Sequence, residues 1–252
     1  MSLENIRIVM INTSHPGNIG AAARVMKNMG LKRLYLVEPK SFPNYEATAM
    51  ASGADDLLSQ AVVCISFEQA LQGCHLVLGT TARERKIQHE FLDAREAGIL
   101  SAEESKQYEV ALVFGRERTG LTNDEIGLCH KLINIPTNPE YSSLNVASAV
   151  QIVTYELMMS IRAQMNNDDS VSGSSAEHKK IETESGVEYA SSENMQRFYQ
   201  HLEQTLIDID FLKIKQSPQL MPKLRHIYNR VRLEQEELNI LRGILSKTQK
   251  LL

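Results

Sequence analysis

The feature that most constrains the fold of this chain is a series of six short apolar runs, separated by stretches with helical spacing. The runs span residues 6–11, 33–38, 61–66, 75–80, 110–115 and 131–136. Most are nearly continuous rather than alternating, which is typical of parallel strands covered on both faces. The intervening segments predict helices at 18–29, 46–52, 67–72, 101–107 (starting with SAEE, similar to a capping box) and 122–129. This alternation predicts an α/β domain of about 165 residues.

The last helix of this domain, predicted over residues 144–163, has no obvious polar stripe. Apolar side chains occupy every direction of its helical wheel, and its polar residues look scattered. A helix that is apolar all round is expected to be buried on more than one side. It follows directly on the polar turn NPEYSSLN at 138–145. The sequence therefore predicts a helix buried on two sides, with a loop rich in polar groups at its start.

The chain changes character after this domain. Residues 166–192 are rich in Asn, Asp, Ser and Glu without hydrophobic periodicity, which predicts a flexible linker between a domain at 1–165 and an all-helical extension at 193–252. Residues 211–233 contain no acid. A local patch of this kind suits a phosphate backbone, but it is also compatible with an ordinary solvated helix face. The six cations of this patch are Lys213, Lys215, Lys223, Arg225, Arg230 and Arg232.

Composition removes several classes of function. The 252 residues carry a net charge of −4, so nucleic acid would have to bind through a local patch. The three cysteines are scattered, which predicts reduced core residues rather than disulfides. The histidines never fall at HxxxH or HxH spacing, so no metal is expected. No apolar run approaches the roughly 20 residues of a membrane span, and the first residues lack a signal-peptide pattern. We expect a cytoplasmic protein.

Two glycine-containing segments are similar to known phosphate-binding loops but depart from them. The segment PGNIG at 16–20 is not part of a GxGxxG fingerprint, which disfavours a dinucleotide-dependent oxidoreductase. The segment GRERTG at 115–120 has the glycine spacing of a Walker A loop, but Leu121 and Thr122 replace its Lys-Ser/Thr pair. A nucleoside triphosphate hydrolase is therefore disfavoured. A Ser-His-Asp hydrolase is disfavoured too, because the chain has no GxSxG sequence.

Three ordered motifs carry a specific resemblance: NIGAAAR at 18–24, FGRERTGL at 114–121 and IPTNPEYSSLNVASAV at 135–150. Together they resemble the SPOUT superfamily of S-adenosylmethionine-dependent RNA methyltransferases, most closely its 2′-O-methylating branch. The resemblance implies an α/β-knot domain with a parallel sheet and a C-terminal trefoil knot, whose crossing loops form the cofactor pocket. It also implies a homodimer in which the apolar helix after SSLN meets a second subunit.

The resemblance also assigns roles to residues. It implies that Arg24, Ser143 and Asn145 are catalytic. Because a guanidinium is a poor base at neutral pH, we expect Arg24 to bind a phosphate and stabilise the developing 2′-oxyanion; the alternative is an ordinary surface arginine. Glu117 is expected to fix loop geometry. The expected cofactor contacts are Thr80, Thr81, Ala82, Gly115, Ile135, Ser142, Ser143 and Leu144, and the expected RNA contacts beside them are Arg83, Arg85 and Lys86.

The substrate expected from the resemblance is tRNA. The three motifs followed by a helical extension are similar to bacterial enzymes that methylate cytidine or uridine at position 32 of the anticodon loop. The resemblance is strong over residues 1–163 and only architectural over 193–252. A ribosomal RNA 2′-O-methyltransferase is one alternative. A non-catalytic RNA-binding homologue is another, and the intact Arg24, Gly115 and Ser143 count against it.

Overall fold

The computed structural model describes residues 3–82, 90–169, 187–213, 215 and 217–251. After a short 3₁₀ helix at Leu3–Asn5, the strands are β1 Ile6–Ile11, β2 Arg33–Val37, β3 Val62–Cys64, β4 Leu76–Thr80, β5 Phe91–Leu92, β6 Val110–Phe114 and β7 Lys131–Ile133. The helices are α1 Pro16–Asn28, α2 Tyr45–Ala51, α3 Asp55–Ser59, α4 Phe67–Leu71, α5 Ala94–Glu104, α6 Asn123–Ile126, α7 Val146–Asp169, α8 Ser192–Asp208, α9 Ser217–Val231 and α10 Gln235–Gln249.

The described strands form one parallel sheet in the order β3-β2-β1-β6-β4-β7-β5. The central strand β6 and its neighbour β1 are buried along their whole length. One face packs against α1, α2, α3, α5 and α7, and the other against α4 and α6. The predicted parallel α/β architecture and the helical extension are confirmed, and each of the six apolar runs contains a strand. The two-residue strand β5 was not predicted, because it is too short to show a pattern.

Two helices differ from the sequence prediction. Helix α5 begins at Ala94, because Asp93 and Glu96 form a reciprocal capping box in which each side chain accepts the other residue's backbone N–H. The prediction of a helix over 101–107 that starts with SAEE was therefore wrong, and Ser101 is buried inside α5. Helix α3 was not predicted: it is as long as α4, but its N-cap is Ala54, which gives no capping signal, whereas the side chain of Ser66 caps α4.

Helix α7 has one buried face within the protomer. It packs against α5 and α1 and buries Val150, Val153 and Leu157 completely. The opposite side forms an exposed stripe at i, i+3 and i+4 spacing, which we call the α7 stripe: Ser148, Gln151, Tyr155, Met159 and Arg162. The stripe contains the apolar side chains of Tyr155 and Met159, while the polar Thr154 is buried, so the polar residues of this helix do not all lie on its exposed side. The protomer alone does not bury this helix on two sides.

The contact between α1 and α2 depends on a residue without a side chain. A Cβ atom on Gly20 would collide with the carbonyl oxygen of Ala47 in α2. We expect Gly20→Ala to lower the free energy of unfolding by about 1–3 kcal/mol, because the two helices would have to move apart. Urea denaturation measures this. Gly243→Ala is the control, since a Cβ at that position in α10 meets nothing within 4 Å and should stabilise the helix by about 0.5–1 kcal/mol. Equal losses in both variants would contradict the close approach.

The helical extension has its own core and docks against the α/β domain. Helices α8, α9 and α10 pack around Phe198, Tyr199 and Leu238. The Ser192 hydroxyl and backbone N–H both donate to the carbonyl oxygen of Cys74, at 2.9 and 2.8 Å. Cys74 directly precedes His75 and β4, so the extension contacts the edge of the sheet at which strands begin.

An ion pair strengthens this docking. The Arg232 guanidinium donates two hydrogen bonds of 2.6 Å to the carboxylate of Glu104, at the end of α5. The side chains are only 15% and 3% exposed.

Helix α7 continues to Asp169, and Tyr189 forms an isolated bridge with Glu234. The first residues of the predicted linker 166–192 thus belong to α7, and Tyr189 near its end pairs with the extension. The boundaries of the linker stay a prediction. No described helix is long and apolar enough to cross a membrane.

Candidate active site

Three loops surround a cavity of about 280 Å³ at the edge of the sheet where the strands end. They follow β4, β6 and β7, and the carboxyl ends of parallel strands are the common ligand-binding edge of open α/β sheets. The volume is close to the lower end of typical small-molecule sites, about 300–1,000 Å³. All eight predicted cofactor contacts line this cavity: Thr80, Thr81, Ala82, Gly115, Ile135, Ser142, Ser143 and Leu144.

The loop after β6 is closed on itself and forms a wall of the cavity. The backbone N–H of Arg116 donates to the carbonyl oxygen of Gly120, and that of Gly120 donates back, at 3.3 and 2.9 Å. A Cβ on Gly115 would collide with the backbone of Gly120 and Leu121. The Arg116 guanidinium is held by Glu125 at 2.9 and 3.0 Å. The Walker-like glycine spacing therefore belongs to a tight internal turn. In this turn the backbone N–H groups of Arg116 and Gly120 donate to each other's carbonyl oxygens and not to a ligand.

The carboxylate of Glu117 lies at the start of α1. It accepts the backbone N–H groups of Ser14 and His15 at 3.1 and 3.3 Å and the Asn18 amide at 3.1 Å. N–H groups at a helix start lack intrahelical partners, and the helix dipole favours a negative charge there. The turn in PGNIG that is similar to a phosphate-binding loop thus receives a carboxylate of the protein itself.

Asn18 connects this carboxylate to the third motif. The Asn145 side-chain N–H donates to Asn18 Oδ1 at 2.9 Å, while Asn145 Oδ1 accepts the backbone N–H of Ala147 at 2.8 Å and caps α7. A continuous path, Glu117–Asn18–Asn145, therefore ties the three motif loops together. Sequence reasoning identified the three motifs but missed Asn18 as their junction. The only available signal was a polar residue at the first position of NIGAAAR.

The pKa of Glu117 is lowered from its ordinary value of 4.5. Burial acts to raise the pKa, but hydrogen bonds from its own backbone N–H, Asn18 and Ser14 outweigh this effect. A carboxyl with a lowered folded-state pKa stabilises the fold above pH 4.5, and this stabilisation is lost as the pH falls through the folded-state pKa.

Glu117→Gln should accordingly unfold at a lower temperature than the wild type at pH 7, and the difference should shrink towards pH 3. Thermal denaturation across this pH range measures it. Glu140→Gln, which removes an exposed carboxylate from the loop after β7, is the control and should follow the wild type. A Glu117→Gln difference that is constant with pH would contradict the role of the ionised carboxylate.

The predicted catalytic residues lie at different distances from the cavity. Ser143 lines it, whereas Asn145 does not line it but lies in the chain between Leu144 and Val146, which do. Arg24 lies on the solvent-exposed side of α1, six residues beyond Asn18, and is not part of the cavity wall. Its guanidinium forms no ion pair with any described residue. Arg83, Arg85 and Lys86 lie outside the described residues.

The predicted cations of the extension divide into two groups. Lys213, Lys215, Lys223 and Arg230 are exposed, and we call these four the extension patch. Arg225 is half-buried with its guanidinium 5.3 Å from the ring centre of Tyr199. Arg232 is bound by Glu104 and stacks on Tyr189 at 3.9 Å, so it holds the extension to the α/β domain. Arg232 is therefore not a candidate RNA-binding residue.

Across residues 3–82, 90–169 and the described part of the extension, no group of His, Cys, Asp or Glu side chains could hold a metal ion. A single buried histidine does not make a metal site, as His130 shows. It is buried, and desolvation is the largest cause that lowers its pKa to about 3. Its Nδ1 accepts the backbone N–H of Val77 at 3.0 Å. This histidine is a neutral structural residue.

Comparison with known families identifies the domain that carries the cavity. Residues 5–155 match the model of the SpoU rRNA methylase family, and this range includes the whole Glu117–Asn18–Asn145 path. The chain belongs to the SpoU family. Residues 193–252 separately match the model described as the C-terminal domain of the tRNA methyltransferase TrmJ, which covers the helical extension.

Relatives of this SpoU family member match it along nearly its whole length. A tRNA (cytidine/uridine-2′-O-)-methyltransferase TrmJ from Pectobacterium atrosepticum is 49% identical over 248 residues, covering 98% of each chain. A tRNA (cytidine/uridine/adenosine-2′-O-)-methyltransferase TrmJ from Pseudomonas aeruginosa is 48% identical, covering 98% of this chain and 95% of the relative. The crystal structure of TrmJ from Z. mobilis superposes with a TM-score of 0.79 at 32% identity, covering 96% and 97% of the two chains.

Proposed function

We propose that this protein transfers a methyl group from S-adenosylmethionine to the ribose 2′-hydroxyl of cytidine or uridine 32 in the tRNA anticodon loop. The single observation that carries the proposal is the cavity lined by the second and third motifs, to which the Glu117–Asn18–Asn145 hydrogen bonds tie the first motif. The choice of tRNA rests on the extension, which matches the TrmJ C-terminal domain, and on the full-length similarity to enzymes named for tRNA. The position within the tRNA rests on the resemblance alone.

The cavity suits S-adenosylmethionine in the chemistry of its walls. Phe114, Ile133 and Leu144 supply apolar surface for an adenine ring, whereas Thr80 and Ser142 supply hydroxyl groups. Backbone groups of the closed loop and the strand ends lie beside them. When bound, this cofactor provides an electrophilic methyl group. We also propose that the trefoil knot implied by the resemblance forms the cofactor-binding loops.

The predicted catalytic residues then have distinct tasks. Ser143 and Asn145 orient the ribose hydroxyl, and Asn145 is itself held by its contact with Asn18. Arg24 binds the neighbouring phosphate and stabilises negative charge on the 2′-oxygen, because a guanidinium stays protonated at neutral pH. Holding the reacting groups in place is a large contribution, since well-oriented reactions gain on the order of 7–11 kcal/mol.

We propose a homodimer through the α7 stripe. Tyr155 is 49% exposed and Met159 is 41% exposed, which is unusual for large apolar side chains one turn apart on one helix. Val153 is buried inside the protomer, so a charge there would test the core and not the interface. Arg24 projects from the exposed side of α1, which packs beside α7, so a dimer of this kind would bring it to the subunit boundary.

The double variant Tyr155→Glu and Met159→Glu should be a monomer, because two charges would be buried in the interface. Light scattering at micromolar concentration measures the mass. Met50→Glu is the matched control, since Met50 is 50% exposed on α2, and it should remain dimeric. A monomeric wild type, or a double variant that still dimerises, would refute the α7 interface.

The proposed activity belongs in the cytoplasm, where tRNA is modified. The decisive experiment is to incubate the purified protein with S-adenosylmethionine and tRNA or ribosomal RNA transcripts, and to map 2′-O-methylated nucleosides by mass spectrometry. Methylation at position 32 of tRNA is the expected result. Methylation of ribosomal RNA alone would support the other activity of the superfamily. Binding of S-adenosylmethionine without transfer to either RNA would support a non-catalytic homologue.

A further inference from the structure

The loop between β7 and α7 has one side in the cavity and another in solvent. It is ordered by short-range hydrogen bonds: the Tyr141 backbone N–H donates to the Asn138 carbonyl at 2.9 Å, and the Thr137 hydroxyl donates to the Ser142 carbonyl at 3.3 Å. Ser142 and Ser143 line the cavity. Because Tyr141 directly precedes these serines, the same turn fixes the cavity wall and the backbone position from which the tyrosine side chain extends.

The side chain of Tyr141 projects into solvent. It is 82% exposed, and among the described residues its ring has no aromatic or cation–π contact. The cofactor cavity does not include it. An aromatic ring at the rim of a catalytic cavity, on a loop ordered by its own hydrogen bonds, is a preformed flat surface for another ring.

We propose that Tyr141 is the surface on which the base of the target nucleotide stacks while its ribose enters the cavity. The inference rests on the proposed RNA 2′-O-methylation. The target ribose must reach Ser143 and Asn145, and the base attached to it then lies at the rim. A nucleotide in an unpaired loop can be splayed out at little cost, and RNA-binding proteins stack such bases on aromatic side chains.

Stacking also suits the proposed acceptance of both cytidine and uridine. These bases differ in the hydrogen-bonding groups of their pairing edge, so a side chain that reads this edge would discriminate between them. Every base offers a π-face, so stacking tolerates a change of base. Tyr141 would therefore act as a positioning residue for the nucleotide, without selecting its identity.

A double-mutant cycle tests the contact between ring and base. Tyr141→Ala should lower kcat/KM for tRNA by about 10-fold or more, within the range measured for base–aromatic stacking, and Tyr141→Phe should stay close to the wild type. With tRNA that carries an abasic nucleotide at position 32, the wild type and Tyr141→Ala should react equally slowly, because the partner of the ring is absent. Tyr45→Ala, which removes an equally exposed tyrosine from α2, is the control and should retain full kcat/KM.

Fluorescence gives an independent readout, because the chain contains no tryptophan. Tyr141→Trp places the only tryptophan of the chain at the rim, where it can be excited apart from the tyrosines. Its emission should be quenched when tRNA saturates the protein but not when S-adenosylmethionine alone is added. The emission of Tyr45→Trp should stay unchanged. Equal quenching at both positions, or none at position 141, would overturn the proposal.

Other results would also overturn it. A loss of S-adenosylmethionine affinity in Tyr141→Ala would show that the ring covers the cofactor, and a change of oligomeric state would show that it contacts a second subunit. A tenfold loss that persists with the abasic tRNA would indicate a role in loop structure. If the wild type methylates no tRNA, the proposed function is wrong. If the wild type methylates tRNA but the double-mutant cycle shows no coupling between ring and base, the proposed function stands and only the stacking proposal is wrong.

Discussion

Arg24→Ala should reduce methyl transfer by about 100-fold or more, which is the typical cost of losing a group that stabilises an oxyanion. Folding should be unchanged, because Arg24 is exposed on α1 and its removal leaves no described acid without a partner. S-adenosylmethionine affinity should also be retained, since Arg24 does not line the cavity. The loss should therefore appear in the transfer step.

Single-turnover transfer of labelled methyl groups to tRNA, with calorimetric titration of S-adenosylmethionine, separates these effects. Lys27→Ala is the control on the same helix: Lys27 is exposed and pairs with Asp56 at 2.8 Å, and its loss should leave transfer nearly unchanged. Arg24→Lys should restore part of the rate, because it keeps the charge but lacks the planar fork. A turnover near that of the wild type in Arg24→Ala would rule out its catalytic role.

Removing the extension patch should weaken tRNA binding strongly and make it less sensitive to salt. The variant replaces Lys213, Lys215, Lys223 and Arg230 with alanine. Each lost phosphate contact lowers the log–log salt slope by about 0.7–0.9, so four contacts would lower it by about 3. The reason for a large effect is that these cations are exposed and no acid lies in the surrounding residues 211–233.

Filter binding at several salt concentrations measures affinity and slope together. The control replaces the three cations of α10 and its C-cap, Arg242, Lys247 and Lys250, which lie outside the patch. An ordinary solvated helix face predicts the same affinity and slope for both variants and the wild type. Point variants are preferable to truncation after α7, because truncation would also remove Arg232 and leave Glu104 without its partner.

The architecture of the α/β domain was predictable from the pattern of apolar runs alone. Parallel strands buried on both faces must be apolar along their whole length, so all six runs were recognisable. The eight cavity residues were predicted from the resemblance to the SPOUT superfamily, whereas the sequence pattern indicated only that polar loops follow strand ends, which meet at one edge of a parallel sheet. Strand β5 has too few residues to show a period, and α3 lacks the polar N-cap that marks the start of the equally short α4.

The pattern did not predict which side chains hold the site and which are free to bind a partner; the folded structure did. Asn18 meets Glu117 and Asn145 across 99 and 127 residues of sequence, and Arg232 meets Glu104 across 128. Hydrogen bonds and ion pairs depend on distances of about 3 Å between atoms, and no local pattern records which distant residues come that close. For the same reason, the sequence predicted a basic patch that included Arg232, whereas the fold uses this arginine to attach the extension to the domain.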